Sequence, residues 1–126
     1  MQQAKPRPVF LNLMQIRLPV AGVMSIIHRA TGVVMVLSIP LLIYLLDLSL
    51  AGPQGFAEAG DLFGNFLVKL ILFGFIWGLM HHLLAGIRYL LIDIDVGVEK
   101  PLFRQTAWAV IVAAPVLALI LMGGLS

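Results

Sequence analysis

Three long apolar stretches limit how this chain can fold, and they cover about residues 20–50, 61–92 and 106–125. Each approaches or exceeds the roughly 20 residues that an α-helix needs to cross a bilayer. The chain is 61% hydrophobic and only 11% charged, which leaves too little polar surface for a soluble domain of this length. The sequence therefore predicts an all-α fold: an integral membrane bundle of three transmembrane helices, forming one domain over residues 1–126.

The boundaries of these helices are predicted from polar and turn-forming residues. Asp61 is a candidate N-cap for the second helix, and the glycine- and proline-containing segment 51–60 before it is predicted to be a loop. A polar turn is predicted over residues 93–101. Pro40 and Pro115 lie inside the first and third helices, where each removes a backbone hydrogen bond and favours a kink.

Lysine and arginine are unevenly distributed, which predicts the orientation of the bundle. Neither residue occurs from Ala30 to Val68, whereas the N-terminal segment carries three and Arg88, Lys100 and Arg104 lie in or beside the second predicted loop. Cytoplasmic loops are enriched in these residues, so the N-terminus is predicted to be cytoplasmic and the C-terminus periplasmic. The N-terminal segment lacks the apolar core and cleavage site of a signal peptide. We therefore expect a multi-pass protein of a bacterial inner membrane.

Composition also excludes several classes of function. The net charge of +2 comes without a basic stripe, so no nucleic-acid partner is expected. The absence of cysteine rules out disulfides and thiolate metal sites within the chain. The sequence contains no paired carboxylates, nucleophile–base set or phosphate-binding loop, so we expect no catalysis by this chain alone.

The first predicted helix carries polar residues on one face. Ser25, His28, Arg29 and Gly32 follow the spacing i, i+3, i+4, i+7. An ionisable side chain inside a membrane is costly and commonly functional. A guanidinium suits a carboxylate or a polarised carbonyl, so a haem propionate or a quinone oxygen would fit. The alternative is that Arg29 pairs with a buried acidic residue of another helix for assembly.

The second predicted helix carries a small residue or a histidine at every fourth position, namely Gly74, Gly78, His82 and Gly86. Small residues let another helix or a flat macrocycle approach the backbone closely. His82 is thus a candidate haem-iron ligand through one ring nitrogen, with the other nitrogen held by an acceptor. The alternative is close helix packing around a hydrogen-bonded histidine. His81 points about 100° away around the helix and is expected to face a partner or a polar cavity.

Topology predicts that the two polar stretches are neighbours. His28 lies about 13 Å beyond Pro19, and His82 about 16 Å before Asp93, at the helical rise per residue. Because the first two helices run in opposite directions, both histidines are predicted at similar depth in the cytoplasmic half of the bundle. They are predicted to line one cavity.

Together these residues resemble the large membrane anchor of succinate dehydrogenase, the cytochrome b subunit of respiratory complex II. The resemblance rests on Arg7-Pro8, on residues 25–32 (SIIHRATG), and on His82 followed by residues 86–88 (GIR) and Asp93. It spans nearly the whole chain, including the three-helix layout. The two longer strings are specific when they occur together in this order.

The resemblance implies roles for several residues. His82 matches the axial ligand of haem b, with the opposite ligand supplied by a small membrane-anchor subunit. Ser25 and Arg29 match residues of the ubiquinone site beside the iron–sulfur subunit. His28 and Arg29 match positions near the haem propionates. Asp93 matches an acidic residue that we expect to help deliver protons to the reduced quinone.

The resemblance also implies a larger assembly. Succinate would be oxidised on a flavoprotein subunit that holds FAD, and electrons would pass through an iron–sulfur subunit to quinone in the membrane. Tyr89 departs from many relatives, which carry a second histidine there, so its role stays open, as does that of His81. Two alternatives remain: the anchor of a fumarate reductase that runs the reverse reaction, and a haem-free structural membrane subunit.

Overall fold

The computed structural model describes residues 17–125 of the chain. Its helices are α1 (Val20–Leu50), α2 (Pro53–Gly64), α3 (Phe66–Asp93) and α4 (Lys100–Leu125), with no strand in the described range. Three of them, α1, α3 and α4, are long and apolar enough to cross a membrane. The predicted all-α bundle with three spans is confirmed. Arg7-Pro8, which contributed to the resemblance, lies outside the described residues.

The second predicted helix consists of two helices, so the prediction of Asp61 as its N-cap was wrong. Asp61 lies within α2, whereas α3 begins after Asn65, whose side-chain oxygen accepts a hydrogen bond from the Leu67 amide at 2.8 Å. The prediction of a loop over 51–60 was also wrong, since α2 begins at Pro53. Proline is well tolerated in the first turn of a helix because its missing N–H would have no partner there.

The third span begins at Lys100 rather than near residue 106, again with a proline in its first turn. The polar turn predicted over 93–101 is therefore shorter than expected. Within it, Asp95 and Gly97 have positive φ values of 62° and 81°, and the Val96 amide donates to the Leu91 carbonyl at 2.9 Å to close the end of α3. Kinks at the two helical prolines remain predictions.

Helix α3 packs against both α1 and α4. The buried cluster joining them contains small or flexible side chains, namely Met24, Ala85, Ala107 and Val110. Most of the large apolar side chains on the three spans are exposed on the outer surface of the bundle. This is the arrangement expected in a bilayer, where small residues permit close helix contact and lipid covers the large side chains.

A buried arginine fastens α3 to α4. Arg88 is only 5% exposed, and its guanidinium donates to Thr106 Oγ1 at 2.9 Å and to the Phe103 carbonyl at 2.8 Å. The same group lies 4.4 Å from the centre of the Phe103 ring. Both of these hydrogen bonds go to α4, which assigns Arg88 a structural contact between the two spans.

A glycine contact fixes α2 against the end of α1. Gly55 is buried, and a Cβ placed there would overlap the Leu48 carbonyl oxygen and lie 3.0 Å from Ala51 Cβ. Backbone atoms cannot give way as a flexible side-chain end can. Position 55 therefore has no room for any side chain, whereas Gly60 on the same helix has open space around it.

We predict that Gly55→Ala lowers the free energy of unfolding by about 1–3 kcal/mol, the usual cost of forcing extra volume into a packed contact. Gly60→Ala is the matched control and should leave it unchanged or slightly raised. The midpoint of thermal unfolding of the purified membrane protein measures both. Equal midpoints for the two variants would show that the α1–α2 contact is not tight.

Candidate functional site

Helices α1 and α3 approach each other through glycines that face histidines. A Cβ at Gly32 of α1 would lie 2.9 Å from His82 Cε1 of α3. In return, a Cβ at Gly86 of α3 would lie 3.7 Å from His28 Nε2 of α1. Each helix thus provides a histidine and the gap that accommodates the other helix's histidine. We call these four residues the histidine–glycine interlock.

Only part of the predicted glycine stripe on α3 contacts α1. Gly78 faces the Thr31 methyl group, which would lie 3.4 Å from an added Cβ. Gly74, one turn further along, has open space around it. The close approach of α1 and α3 therefore extends from Gly78 to Gly86 and contains His82.

The two histidines of the interlock stack face to face. The ring centres of His28 and His82 are 4.0 Å apart, and the ring planes differ by 13°. Both side chains line one groove of about 600 Å³. The prediction that they lie at similar depth and share a cavity is confirmed.

A backbone carbonyl fixes the tautomer of His82. Its Nδ1 lies 2.9 Å from the His28 carbonyl oxygen, and because a carbonyl only accepts, Nδ1 must carry the proton. Thr31 Oγ1 lies 3.3 Å from the same nitrogen and is also within 2.9 Å of the Ile27 carbonyl. Nε2 of a neutral His82 is then left unprotonated. An imidazole held in this way presents a basic nitrogen in a fixed direction, as metal-ligating histidines do.

His81 lies inside the chain, so the expectation that it faces a partner or a polar cavity was wrong. Its side chain is 2% exposed, and Nε2 lies 3.4 Å from the Met24 carbonyl oxygen. Met24 and His28 are one turn apart on α1. The neighbouring histidines of α3 therefore contact carbonyls on successive turns of α1, and only His82 lines the groove.

The groove has a polar end and apolar walls. Its polar lining comes from His28, Arg29 and His82, and the remainder from Gly32, Val33, Val36 and Leu37. A second groove of about 710 Å³ continues along the same side and shares Gly32, Val36 and His82. The combined surface suits a flat, largely apolar ligand that carries polar or anionic groups at one end.

Ser25 and Arg29 lie together at that polar end. Arg29 is exposed, and its Nη2 and Nε lie 3.4 Å from the hydroxyl and the carbonyl oxygen of Ser25. The prediction that they share a face of α1 is confirmed. No carboxylate of the described residues forms an ion pair with Arg29. The alternative of an acidic partner therefore finds no support within this part of the chain.

Asp93 and Tyr89 lie at different distances from the interlock. Asp93 is exposed at the last position of α3, about 16 Å along the helix from His82, and makes no contact with the interlock. The Tyr89 ring meets His28 edge-on at 5.3 Å. Its hydroxyl is buried without a hydrogen-bond partner among the described residues.

Among residues 17–125, no three His, Cys, Asp or Glu side chains come together to hold a metal ion.

Sequence analysis missed the part played by Thr31 and by the His28 carbonyl. The sequence did contain a signal for the close contact of the two helices. A glycine follows each histidine by four residues, at His28/Gly32 and at His82/Gly86, and in antiparallel helices each histidine then faces the glycine of the other helix.

Comparison with known proteins identifies the family. Residues 3–121 match the family model described as the succinate dehydrogenase/fumarate reductase transmembrane subunit. The succinate dehydrogenase cytochrome b556 subunit of Paracoccus denitrificans is 36% identical over 90% of this chain and 88% of its own length. The subunits of the same name from Coxiella burnetii and Rickettsia prowazekii are 34% and 29% identical, over 93% and 91% of this chain and 94% and 90% of their own lengths. The chain therefore belongs to the family of succinate dehydrogenase cytochrome b membrane subunits.

Proposed function

We propose that this chain is the large membrane anchor of a succinate dehydrogenase, where it binds haem b through His82 and forms part of the ubiquinone-reduction site. The observation that carries the proposal is the orientation of His82. Its Nδ1 is committed to the His28 carbonyl at 2.9 Å, and its ring lines both grooves. Nε2 is thereby the atom that would hold the haem iron.

The residues of the groove fit haem in chemistry as well as in position. The apolar walls at Val33, Val36 and Leu37 suit the macrocycle, and His28 and Arg29 at the polar end suit its propionates. Gly32 leaves the space that the His82 ring occupies. When bound, haem b supplies a one-electron redox centre whose potential depends on its axial ligands and surroundings.

A second ligand to the haem iron would come from the small membrane-anchor subunit. His28 is the only other histidine near the groove among the described residues. It stacks face to face on His82 at 4.0 Å, which leaves no room for a haem between the two rings. A second protein ligand to the iron would therefore come from another chain.

Arg29 and Ser25 are proposed to act on the quinone. A guanidinium stays protonated and can stabilise the negative charge that develops on a quinone oxygen during reduction. The Ser25 hydroxyl can hydrogen-bond to the same oxygen. The hydrogen bond between the Ser25 hydroxyl and Arg29 is long, at 3.4 Å, and therefore weak. Breaking it to bind a substrate costs little free energy.

The charge distribution supports a cytoplasmic position for this site in a bacterial inner membrane. The end of the bundle where α1 begins and α3 ends carries Arg17, Arg88, Lys100 and Arg104, whereas Lys69 is the one basic residue among the described residues of the other end. Positive residues mark the cytoplasmic side. At that side the iron–sulfur subunit would deliver electrons from the FAD-containing flavoprotein subunit, and Asp93 would help supply protons.

The ligand assignment predicts a spectroscopic result. In the purified wild-type complex, dithionite should produce the absorption band of reduced haem b. His82→Ala should abolish this band because Nε2 is the proposed iron ligand. An unchanged band in a correctly assembled His82→Ala complex would show that the ligand lies elsewhere.

A second prediction concerns the space beside the ring. Gly32→Ala puts a methyl group 2.9 Å from His82 Cε1, and stacking on His28 prevents the ring from yielding. We expect haem affinity to fall by about 10–100-fold, as when a group orienting a metal ligand is lost. Gly74→Ala, which enters open space, is the matched control and should retain full haem content per complex.

Arg29→Leu tests the quinone site. We expect succinate:quinone activity to fall by about 10²-fold or more, the usual cost of losing a donor to a developing oxyanion. Succinate oxidation with an artificial soluble acceptor should be unchanged. Arg104→Leu, which removes another exposed arginine, should affect neither activity. Equal loss of both activities in Arg29→Leu would indicate an assembly defect.

The same pair of assays tests Asp93. If its carboxylate delivers protons, Asp93→Asn should slow quinone reduction and leave the artificial-acceptor activity intact. Wild-type quinone reduction in Asp93→Asn, measured across the pH range, would remove this residue from the proposed mechanism.

A further inference from the structure

Helix α2 lies between two membrane spans but cannot itself cross a membrane. Its 12 residues extend about 18 Å at the helical rise, against a hydrocarbon thickness of about 30 Å. Only Ala51 and Gly52 join it to α1, and only Asn65 joins it to α3. Such short links keep α2 at the level where α1 ends and α3 begins.

The side chains of α2 divide into three faces. Gly55 and Ala59 are buried, and Gly55 meets the end of α1 as described above. The phenylalanine face is formed by Phe56 and Phe63, which are 69% and 39% exposed. The polar face consists of exposed Gln54, Glu58 and Asp61, with Gln54 donating to Glu58 at 3.3 Å.

These faces are arranged as in a helix that lies flat on a membrane. At 100° per residue, the phenylalanine face points about 180° away from the polar face, and the buried face lies between the two. A helix whose side contacts the end of a span can therefore direct its phenylalanines toward the acyl chains and its carboxylates toward water. This combination of a strong apolar face and a polar face is characteristic of interfacial helices.

We propose that α2 is an interfacial helix whose phenylalanine face binds the lipid at the membrane–water boundary. The apolar surface continues beyond α2 in both directions, since Leu50 at the end of α1 and Phe66 at the start of α3 are 75% and 80% exposed. Both flanking residues belong to helices long and apolar enough to cross a membrane. The phenylalanine face therefore extends a lipid-facing surface and fits acyl chains.

Helix α2 itself carries no lysine or arginine, and the first basic residue after it is Lys69 in the first turn of α3. The helix therefore offers no cation of its own to an anionic headgroup, and its contact with lipid is apolar. Its attachment depends on insertion of Phe56 and Phe63 and on the contact at Gly55. In this position α2 holds the ends of α1 and α3 at a fixed depth in the bilayer.

Photo-crosslinking in native membranes tests the proposal with the whole complex present. Phe56→p-benzoylphenylalanine closely preserves the size and character of the side chain, and Phe63→p-benzoylphenylalanine provides an independent second position. Glu58→p-benzoylphenylalanine on the polar face is the matched control. After illumination, mass spectrometry of the purified chain reports phospholipid adducts, and gel electrophoresis reports crosslinks to other chains.

We expect phospholipid adducts at positions 56 and 63 at several times the level found at position 58, in membranes with or without added anionic lipid. Crosslinking of positions 56 and 63 to another protein chain would overturn the proposal and assign this face to a protein partner. Equal lipid labelling at all three positions would also overturn it, because the helix would then have no preferred orientation. The haem spectrum of each variant is read separately, so this outcome is independent of the ligand assignment.

Discussion

Two antiparallel helices in a bilayer gain little from hiding apolar side chains, because lipid is as apolar as the helix surface. The association of α1 and α3 therefore depends on close approach and hydrogen bonding. Gly32 and Gly86 provide the approach by leaving space for His82 and His28. The hydrogen bond from His82 Nδ1 to the His28 carbonyl and the stacking of the two rings then fix the helices in register.

The same contacts that join the helices also fix the tautomer and the orientation of His82. A histidine used only for packing could bond through either nitrogen, but the carbonyl of His28 selects Nδ1 as donor and leaves Nε2 unprotonated. His81, one residue earlier, contacts the Met24 carbonyl one turn away along α1 and stays buried. The position of α1 thus gives the two adjacent histidines different roles: His81 makes a structural contact, and His82 is the candidate ligand.

The other helices support this pair without contributing to the groove. Arg88 fastens α4 to α3 through Thr106 and the Phe103 carbonyl, so its charge is directed away from the proposed cofactor site. At the opposite end of the bundle, Gly55 holds α2 against α1. The polar chemistry of the chain is therefore concentrated on one side of the α1–α3 contact, where a second membrane subunit can complete it.

Hydropathy was sufficient to predict three spans, and helical rise was sufficient to place His28 and His82 at one depth. The start of α3 was not predictable in the same way, because α2 is also helical and the apolar residues on both sides of Asn65 hide the boundary. Proline and glycine near residue 53 indicated a loop, although both are compatible with the beginning of a helix. The environment of His81 depends on where α1 packs, and spacing within α3 alone does not contain that information.

If α1 orients His82 as proposed, Nε2 of this residue binds the haem iron. An electron cryo-microscopy structure of the intact complex in lipid nanodiscs would show this bond. We expect haem density with iron bonded to His82 Nε2, His82 Nδ1 within hydrogen-bond distance of the His28 carbonyl, and a second iron ligand from another subunit. Iron bonded to His28 or His81, or a His82 ring turned so that Nδ1 faces the iron, would contradict it.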